Sequence, residues 1–252
     1  MDDVALAATA ARAAAEALVE LRAGGLTGRA LMDAGDRIAD QAIFSALVRE
    51  RPEDVIFTEE AADSPRRLDA DRVWIVDPLD GTRDYGETGR RDWAVHVALW
   101  SAGERGAGGN LTAGAVALPA VGEVLVTAPP PVVPPRADGP VRIAVSRTRP
   151  PAFVTRLLED IGGVAVPMGS AGVKVISVVR DISDAYVHAG GQYEWDNAAP
   201  VAVARAAGLF CSRIDGSELE YNQDDVSLPD LIVCRPELSE TILDFVRRHG
   251  TD

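Results

Sequence analysis

Cysteine is nearly absent. Cys211 and Cys234 stand far apart, each inside an apolar segment, which suits buried reduced thiols better than a disulfide framework or a cysteine metal pair. Histidine is as sparse: His96, His188 and His249 are scattered, and that argues against zinc. No stretch approaches the length of a membrane span, and the acidic, Ala-rich N-terminus has no basic flank before an apolar block, so a cytoplasmic protein with no membrane partner is expected. Positive charge is in deficit, with 39 acids against 25 bases and a formal net charge of -14. Such a field repels polyanions and disfavours a nucleic acid polymer as partner. It would also repel a small phosphorylated substrate unless bound cations reverse the local sign.

What is present is enough for a sizeable core: 47% of the 252 residues are hydrophobic and 25% charged, suiting one large domain or two small ones. Residues 4–22 are Ala- and Leu-rich and meet Gly24-Gly25, which predicts a helix. Asp36 precedes an apolar stripe of Ile38, Ala42, Ile43, Ala46 and Leu47, which predicts a second helix to residue 50. Short strands are expected at 55–57 and 73–76. Segments 93–101, 111–118 and 123–128, separated by Gly-bearing turns, predict an antiparallel meander. The prolines of 129–135 can continue neither element, so 129–140 reads as a linker or long excursion. Beyond it, strands at 141–145, 164–167, 184–188 and 231–234 alternate with helices at 151–161, 171–180, 197–207 and 237–248. The expected fold is α/β in layers: an N-terminal antiparallel sheet with two helices in residues 1–135, and a C-terminal α/β layer in 136–252.

The most informative stretch is Val73 to Arg83. An apolar strand feeds into Asp77, Pro78, Leu79, Asp80, Gly81 and Thr82, where two carboxylates across a tight turn can face one cavity. Gly81 lets the main chain approach a ligand. Asp36, Glu59, Glu60 and Asp196 join them as acids at predicted strand ends or helix starts. Taken singly, Asp36 and Asp196 could each cap the helix that follows, and Glu59 and Glu60 could sit in a first helical turn. Taken together, they suit hard divalent cations, which want several carboxylate oxygens plus backbone carbonyls, with Mg2+ leaving positions for water and phosphate. Gly81-Thr82 and Gly169-Ser170-Ala171-Gly172 supply candidate anion donors. His96, within Trp93 to Val97, reads as a sheet residue.

With Asp77-Pro78-Leu79-Asp80-Gly81-Thr82, the later Trp195-Asp196 and the upstream Thr58-Glu59-Glu60, the chain resembles the Mg2+-dependent, lithium-sensitive sugar-phosphatase superfamily. That superfamily includes inositol monophosphatase, fructose-1,6-bisphosphatase and 3'(2'),5'-bisphosphate nucleotidase. The resemblance implies the sugar-phosphatase fold and two or three Mg2+ ions held by Glu59, Asp77, the Leu79 carbonyl, Asp80 and Asp196. It implies that Glu60 supports metal-bound water, and that Asp36 works with Thr82 to activate the attacking water. No phosphoenzyme is required by such chemistry. Substrate contacts would fall on Asp80, Gly81, Thr82, Gly169, Ser170 and Asp196. Homodimers are common in the group.

Within the superfamily, Ala189 occupies the place where inositol monophosphatases carry a Glu that grips an inositol hydroxyl. Lys174 sits where nucleotidases of the CysQ type tend to have Lys, and Ser146-Arg147-Thr148 resembles their Ser-Arg-Ser, with Arg149 departing from the His that follows. Lys174 and Arg147 would meet a second anionic group. The resemblance therefore favours hydrolysis of the 3'-phosphate of adenosine 3',5'-bisphosphate, a by-product of sulfur metabolism, to AMP. Inositol phosphates and fructose-1,6-bisphosphate are the alternatives, and a non-catalytic nucleotide or metal sensor is a remote one. Tyr193 could stack on adenine or simply pack at the rim.

Overall fold

The computed structural model describes residues 1–103 and 108–251. Two helices open the chain, α1 (Asp3–Ala23) and α2 (Gly28–Glu50). A first sheet follows, from β1 (Val55–Thr58), β2 (Arg72–Asp80), β3 (Ala94–Ser101), β4 (Asn110–Leu118) and β5 (Glu123–Val126), with α3 (Thr82–Gly86) between β2 and β3. The second half runs β6 (Arg142–Ser146), α4 (Ala152–Ile161), β7 (Val164–Met168), α5 (Ala171–Val179), β8 (Ala185–Tyr193), α6 (Glu194–Ala206), β9 (Phe210–Ser212), β10 (Ser227–Cys234) and α7 (Ser239–His249).

The first sheet is ordered β1-β2-β3-β4-β5 and the second β7-β6-β8-β10-β9. The expected antiparallel meander is β3, β4 and β5, and β2 extends it by pairing antiparallel with β3. β1 departs from it and pairs with β2 in parallel. The second sheet is mixed, with β6 parallel to β7 and β8, and β10 antiparallel to β8 and β9.

Period-2 alternation assigns the faces. Trp74 and Val76 pack with α1 and α2, whereas Val73 and Ile75 join Val175, Ile176, Ala198 and Val201 of α5 and α6. In the second sheet Leu231 and Val233 face α5 and α6, while Ile232 and Cys234 face Phe153 of α4 and Phe245 of α7. The layers therefore run helices, sheet, helices, sheet, helices, with α5 and α6 at the centre. Cys211 and Cys234 fall on opposite faces of the second sheet, and both are free thiols. No helix among the described residues is long and apolar enough to cross a membrane.

Several boundaries differ from the sequence reading, among them α6, which starts at Glu194 and so holds Asp196 inside its first turn rather than at its cap. α2 begins at Gly28, so Asp36 lies inside the helix and caps nothing. Gly35 is used for close packing, since a Cβ there would sit 2.7 Å from the Tyr85 ring. The short α3 and β9 were not expected, and β8 and β10 are longer than their apolar cores suggested, because their polar ends run on toward one cavity. Residues 129–140 form no regular element. Arg235 ties this excursion down by donating to the Pro134 carbonyl at 2.7 Å.

Candidate metal and phosphate site

The acids meet where the first sheet touches the central helices. β2 ends in a register shift between Asp77 and Asp80, and the irregularity turns both carboxylates toward α5 and α6. Asp77 is 1% exposed and receives the Leu79 N–H at 3.0 Å. Gly81 takes the left-handed conformation at φ +86°, and a Cβ there would lie 2.9 Å from the Asp92 carbonyl, so a side chain is excluded both by strain and by space. Thr82 then donates its hydroxyl to the Leu79 carbonyl at 3.0 Å and lies 3.4 Å from Asp36 Oδ1. α2 thus delivers Asp36 to the motif from its interior.

Asp80 is held by three donors. The Ser170 hydroxyl and the Gly172 N–H, the latter at 2.6 Å, both reach Oδ2, and the Ala171 N–H lies 3.2 Å from Oδ1. The start of α5 therefore meets a carboxylate of the chain itself, as the dipole at a helix N-terminus favours. Gly169 donates to Asp92 at 2.8 Å. These donors, expected at a phosphate, are spent on Asp80 and Asp92. Asp196 occupies the first turn of α6 and accepts from the Tyr193 N–H at 2.6 Å.

The electrostatics record the crowding. Burial first, and then Asp80, Glu59 and Asp196, hold Asp77 well above the carboxylate range. Asp196 is pushed up to about 7 by burial and then by Asp80. Glu59 is exposed as a residue, yet desolvation of its carboxyl and then Asp196 and Asp80 push it up to about 7. Asp36 rises to about 6 through burial and then Glu60, and Glu60 itself is raised by burial and then Asp40. The structure thus brings Asp36, Glu59, Glu60, Asp77, Asp80 and Asp196 into one electrostatic neighbourhood. Among the described residues, Asp77, Asp80 and His96 are the group that offers ligand atoms all within 4.8 Å of one another. Among the described residues no arginine or lysine forms an ion pair with Asp77 or Asp80; the side chain within ion-pair distance of both is His96. A divalent cation is the group such a donor set fits.

Beside the acids lies a cavity of about 670 Å³, lined by Asp80, Gly81, Ser170, Lys174, Tyr186 and Asp196, together with Ser146, Arg149, His188 and Gly190-Gly191. Lys174 is 7% exposed, donates to the Ser170 and Gly169 carbonyls and stands 5.3 Å from the Tyr186 ring centroid. Burial lowers its pKa, although Asp80 and Asp84 pull the other way. Arg147 is placed elsewhere: it pairs with Asp84 at 2.9 Å and Glu87 at 3.2 Å and does not line the cavity. The arginine on the cavity lining is Arg149. Tyr193 is 50% exposed, stacks on Trp195 at 4.8 Å and lies off the cavity lining.

The sequence does not single out Tyr186, and it assigns Arg149 and His188 no place at the cavity, because nothing local marks them as lining it. One compositional signal was available: Lys174 is the chain's one lysine beside 24 arginines.

The model of the inositol monophosphatase family matches residues 2–130 and 135–250. The chain belongs to that family. It is 47% identical over 258 residues to the "3'-phosphoadenosine 5'-phosphate phosphatase" of Mycobacterium leprae, covering 98% of this chain and 94% of the relative. Among solved structures, the staphylococcal inositol monophosphatase II superposes with a TM-score of 0.82 at 19% identity, over 99% of this chain and 95% of that one. CysQ from Bacteroides thetaiotaomicron superposes with a TM-score of 0.78 at 22% identity, over 92% and 97%.

Proposed function

We propose that the chain is a Mg2+-dependent phosphomonoesterase that removes the 3'-phosphate of adenosine 3',5'-bisphosphate. One observation carries this reading: a cluster of crowded carboxylates, Asp80 and Asp196 among them, opens into a cavity whose lining also holds Lys174, Arg149 and His188. The acids suit cations at one phosphate, and the basic side chains suit a second anionic group.

In this reading Glu59, Asp77, the Leu79 carbonyl, Asp80 and Asp196 hold two or three Mg2+ ions. When bound, the ions neutralise the phosphate, lower the pKa of water and stabilise the leaving oxygen. The chain's own residues do the rest. The Thr82 hydroxyl, fixed by the Leu79 carbonyl, orients a water for attack in line with the ester bond. Asp36, raised to about 6, stands 3.4 Å behind Thr82 and takes up the proton that the water loses. Glu60, beside Asp36, orients a further water. Ser170 and the start of α5 keep Asp80 from swinging into the cavity. The P–O bond to the 3'-oxygen breaks as the water oxygen bonds to phosphorus, giving AMP and phosphate, with the leaving oxygen protonated from solvent.

The second anion favours a bisphosphate over inositol 1-phosphate, and Ala189, on the cavity wall, offers no carboxylate to a sugar hydroxyl. Two phosphates alone do not separate a nucleotide from fructose-1,6-bisphosphate; the 47% identical relative's name favours the nucleotide. The test is kcat/KM on adenosine 3',5'-bisphosphate, inositol 1-phosphate and fructose-1,6-bisphosphate. Preference for the nucleotide by at least ten-fold is expected, and preference for either of the others overturns the substrate assignment.

A further inference from the structure

His96 is fully buried in the middle of β3, an otherwise apolar strand. It is the direct cross-strand partner of Asp77 and shares its face of the sheet. Its Nδ1 lies 3.1 Å from the Trp195 carbonyl in the first turn of α6. A carbonyl only accepts, so Nδ1 carries the proton and the ring donates there. The opposite nitrogen, Nε2, lies 3.4 Å from Asp80 Oδ2 and has no hydrogen-bond partner. Leaving a buried polar atom unpaired costs free energy, so an apolar side chain would serve packing alone better.

The same edge of the ring fits against α5. A Cβ on Gly172 would come within 2.0 Å of Nε2 and 2.4 Å of Cε1, so residue 172 is glycine because the imidazole occupies that space. That close approach also lets the Gly172 N–H reach Asp80. One ring therefore touches the end of β2, which carries Asp77 and Asp80, the start of α5, which holds Asp80 in place, and the residue preceding Asp196.

We propose that His96 is a positioning residue for the metal site, clamping the first turn of α6 and the start of α5 against β2 so that Asp196 faces Asp77 and Asp80. The proposal rests on the reading of those three acids as metal ligands. Residues that orient ligands typically change metal affinity ten- to a hundred-fold when removed.

The test is titration calorimetry of metal-stripped protein with Mg2+, and with Mn2+ as a second probe, on wild type, His96→Val and His96→Asn. Valine suits a strand interior but cannot donate to Trp195, whereas the asparagine amide stands close to where Nδ1 does. The proposal expects Mg2+ binding weakened roughly ten-fold or more in His96→Val, with a melting temperature near wild type, and affinity within about three-fold of wild type in His96→Asn. Unchanged affinity in His96→Val, whatever its stability, overturns it. If His96→Val does not fold, His96→Asn decides: retained affinity supports the clamp, and a ten-fold loss overturns it. Wild type that binds neither ion overturns the metal reading itself, a result distinguishable from failure of the clamp alone.

Discussion

Neutralising Asp196 should stabilise the metal-free protein while destroying its metal site. The Asp196 carboxyl is raised from its ordinary value of 3.8 to about 7, so the folded state holds this proton more tightly than the unfolded chain does. Between pH 3.8 and 7 the folded form binds more protons, and stability falls as pH rises through that window; above 7 the deficit is complete. Three pKa units correspond to about 4 kcal/mol. Relaxation and water entry reduce this to roughly 2 kcal/mol. For a chain of this length that is about 4–8 °C in melting temperature. In Asp196→Asn the side-chain oxygen still accepts from the Tyr193 N–H, so the start of α6 survives. Thermal melts in chelator at pH 8 should therefore place Asp196→Asn above wild type, with the gap shrinking to less than half by pH 5. Saturating Mg2+ should reverse the order. A variant no more stable than wild type in chelator at pH 8 would refute the claim that burial, with Asp80 beside it, holds the Asp196 carboxyl up in the metal-free site.

Other consequences concern named contacts. Ser170→Ala removes one of the donors holding Asp80 and should lower kcat roughly ten-fold or more, with less than about 1 kcal/mol lost in denaturant melts. Lys174→Met should raise KM for adenosine 3',5'-bisphosphate at least ten-fold and have a much smaller effect on a monophosphate, since only the bisphosphate offers a second anion; equal losses on both would contradict the cavity assignment. Asp184 is 1% exposed and accepts from the Arg142 main chain and from Arg142 and Arg235 side chains. Asp184→Ala should cost about 1.5–3 kcal/mol in urea unfolding, because it removes one of the two acids paired with Arg235, which is 3% exposed, and leaves that charge to Asp181 and the Pro134 carbonyl. Burial pushes Asp184 up, but Arg142 outweighs it and brings it down to about 2. Its contribution is therefore present above pH 3.8 and lost as pH falls toward 2, which acid titration of wild type against the variant will show.

Much of the architecture was legible because the strands alternate cleanly. Val73, Ile75 and Trp74, Val76 already divide between two faces, and α4 and α7 carry strong apolar stripes. The start of α2 was not legible, since Gly28 and Gly35 depress helix propensity and the contacts that offset them, Tyr85 and Leu79 against Gly35, come from far along the chain. β1 in parallel with β2 depends on a crossover that local pattern does not encode. At the site, Asp77 to Thr82 could be read because a strand, a turn and two acids occur together in a few residues. His96 could not: a lone histidine in Trp93-Ala94-Val95-His96-Val97 looks like sheet filling until its cross-strand partner proves to be Asp77. Arg147 and Arg149 are two residues apart, and only the fold decides which one Asp84 and Glu87 take.

The central claim is that carboxylates from β2, α6 and the loop after β1 share divalent cations that hydrolyse a phosphate ester. Phosphate release from adenosine 3',5'-bisphosphate by chelated protein, titrated back with Mg2+ in wild type and Asp80→Asn, addresses it directly. The account predicts no turnover in chelator, full recovery with Mg2+ in wild type, and a loss of at least a thousand-fold in a folded Asp80→Asn, roughly 4 kcal/mol of transition-state stabilisation. Turnover that persists in chelator, or an Asp80→Asn enzyme with the wild-type Mg2+-dependent rate, would contradict it.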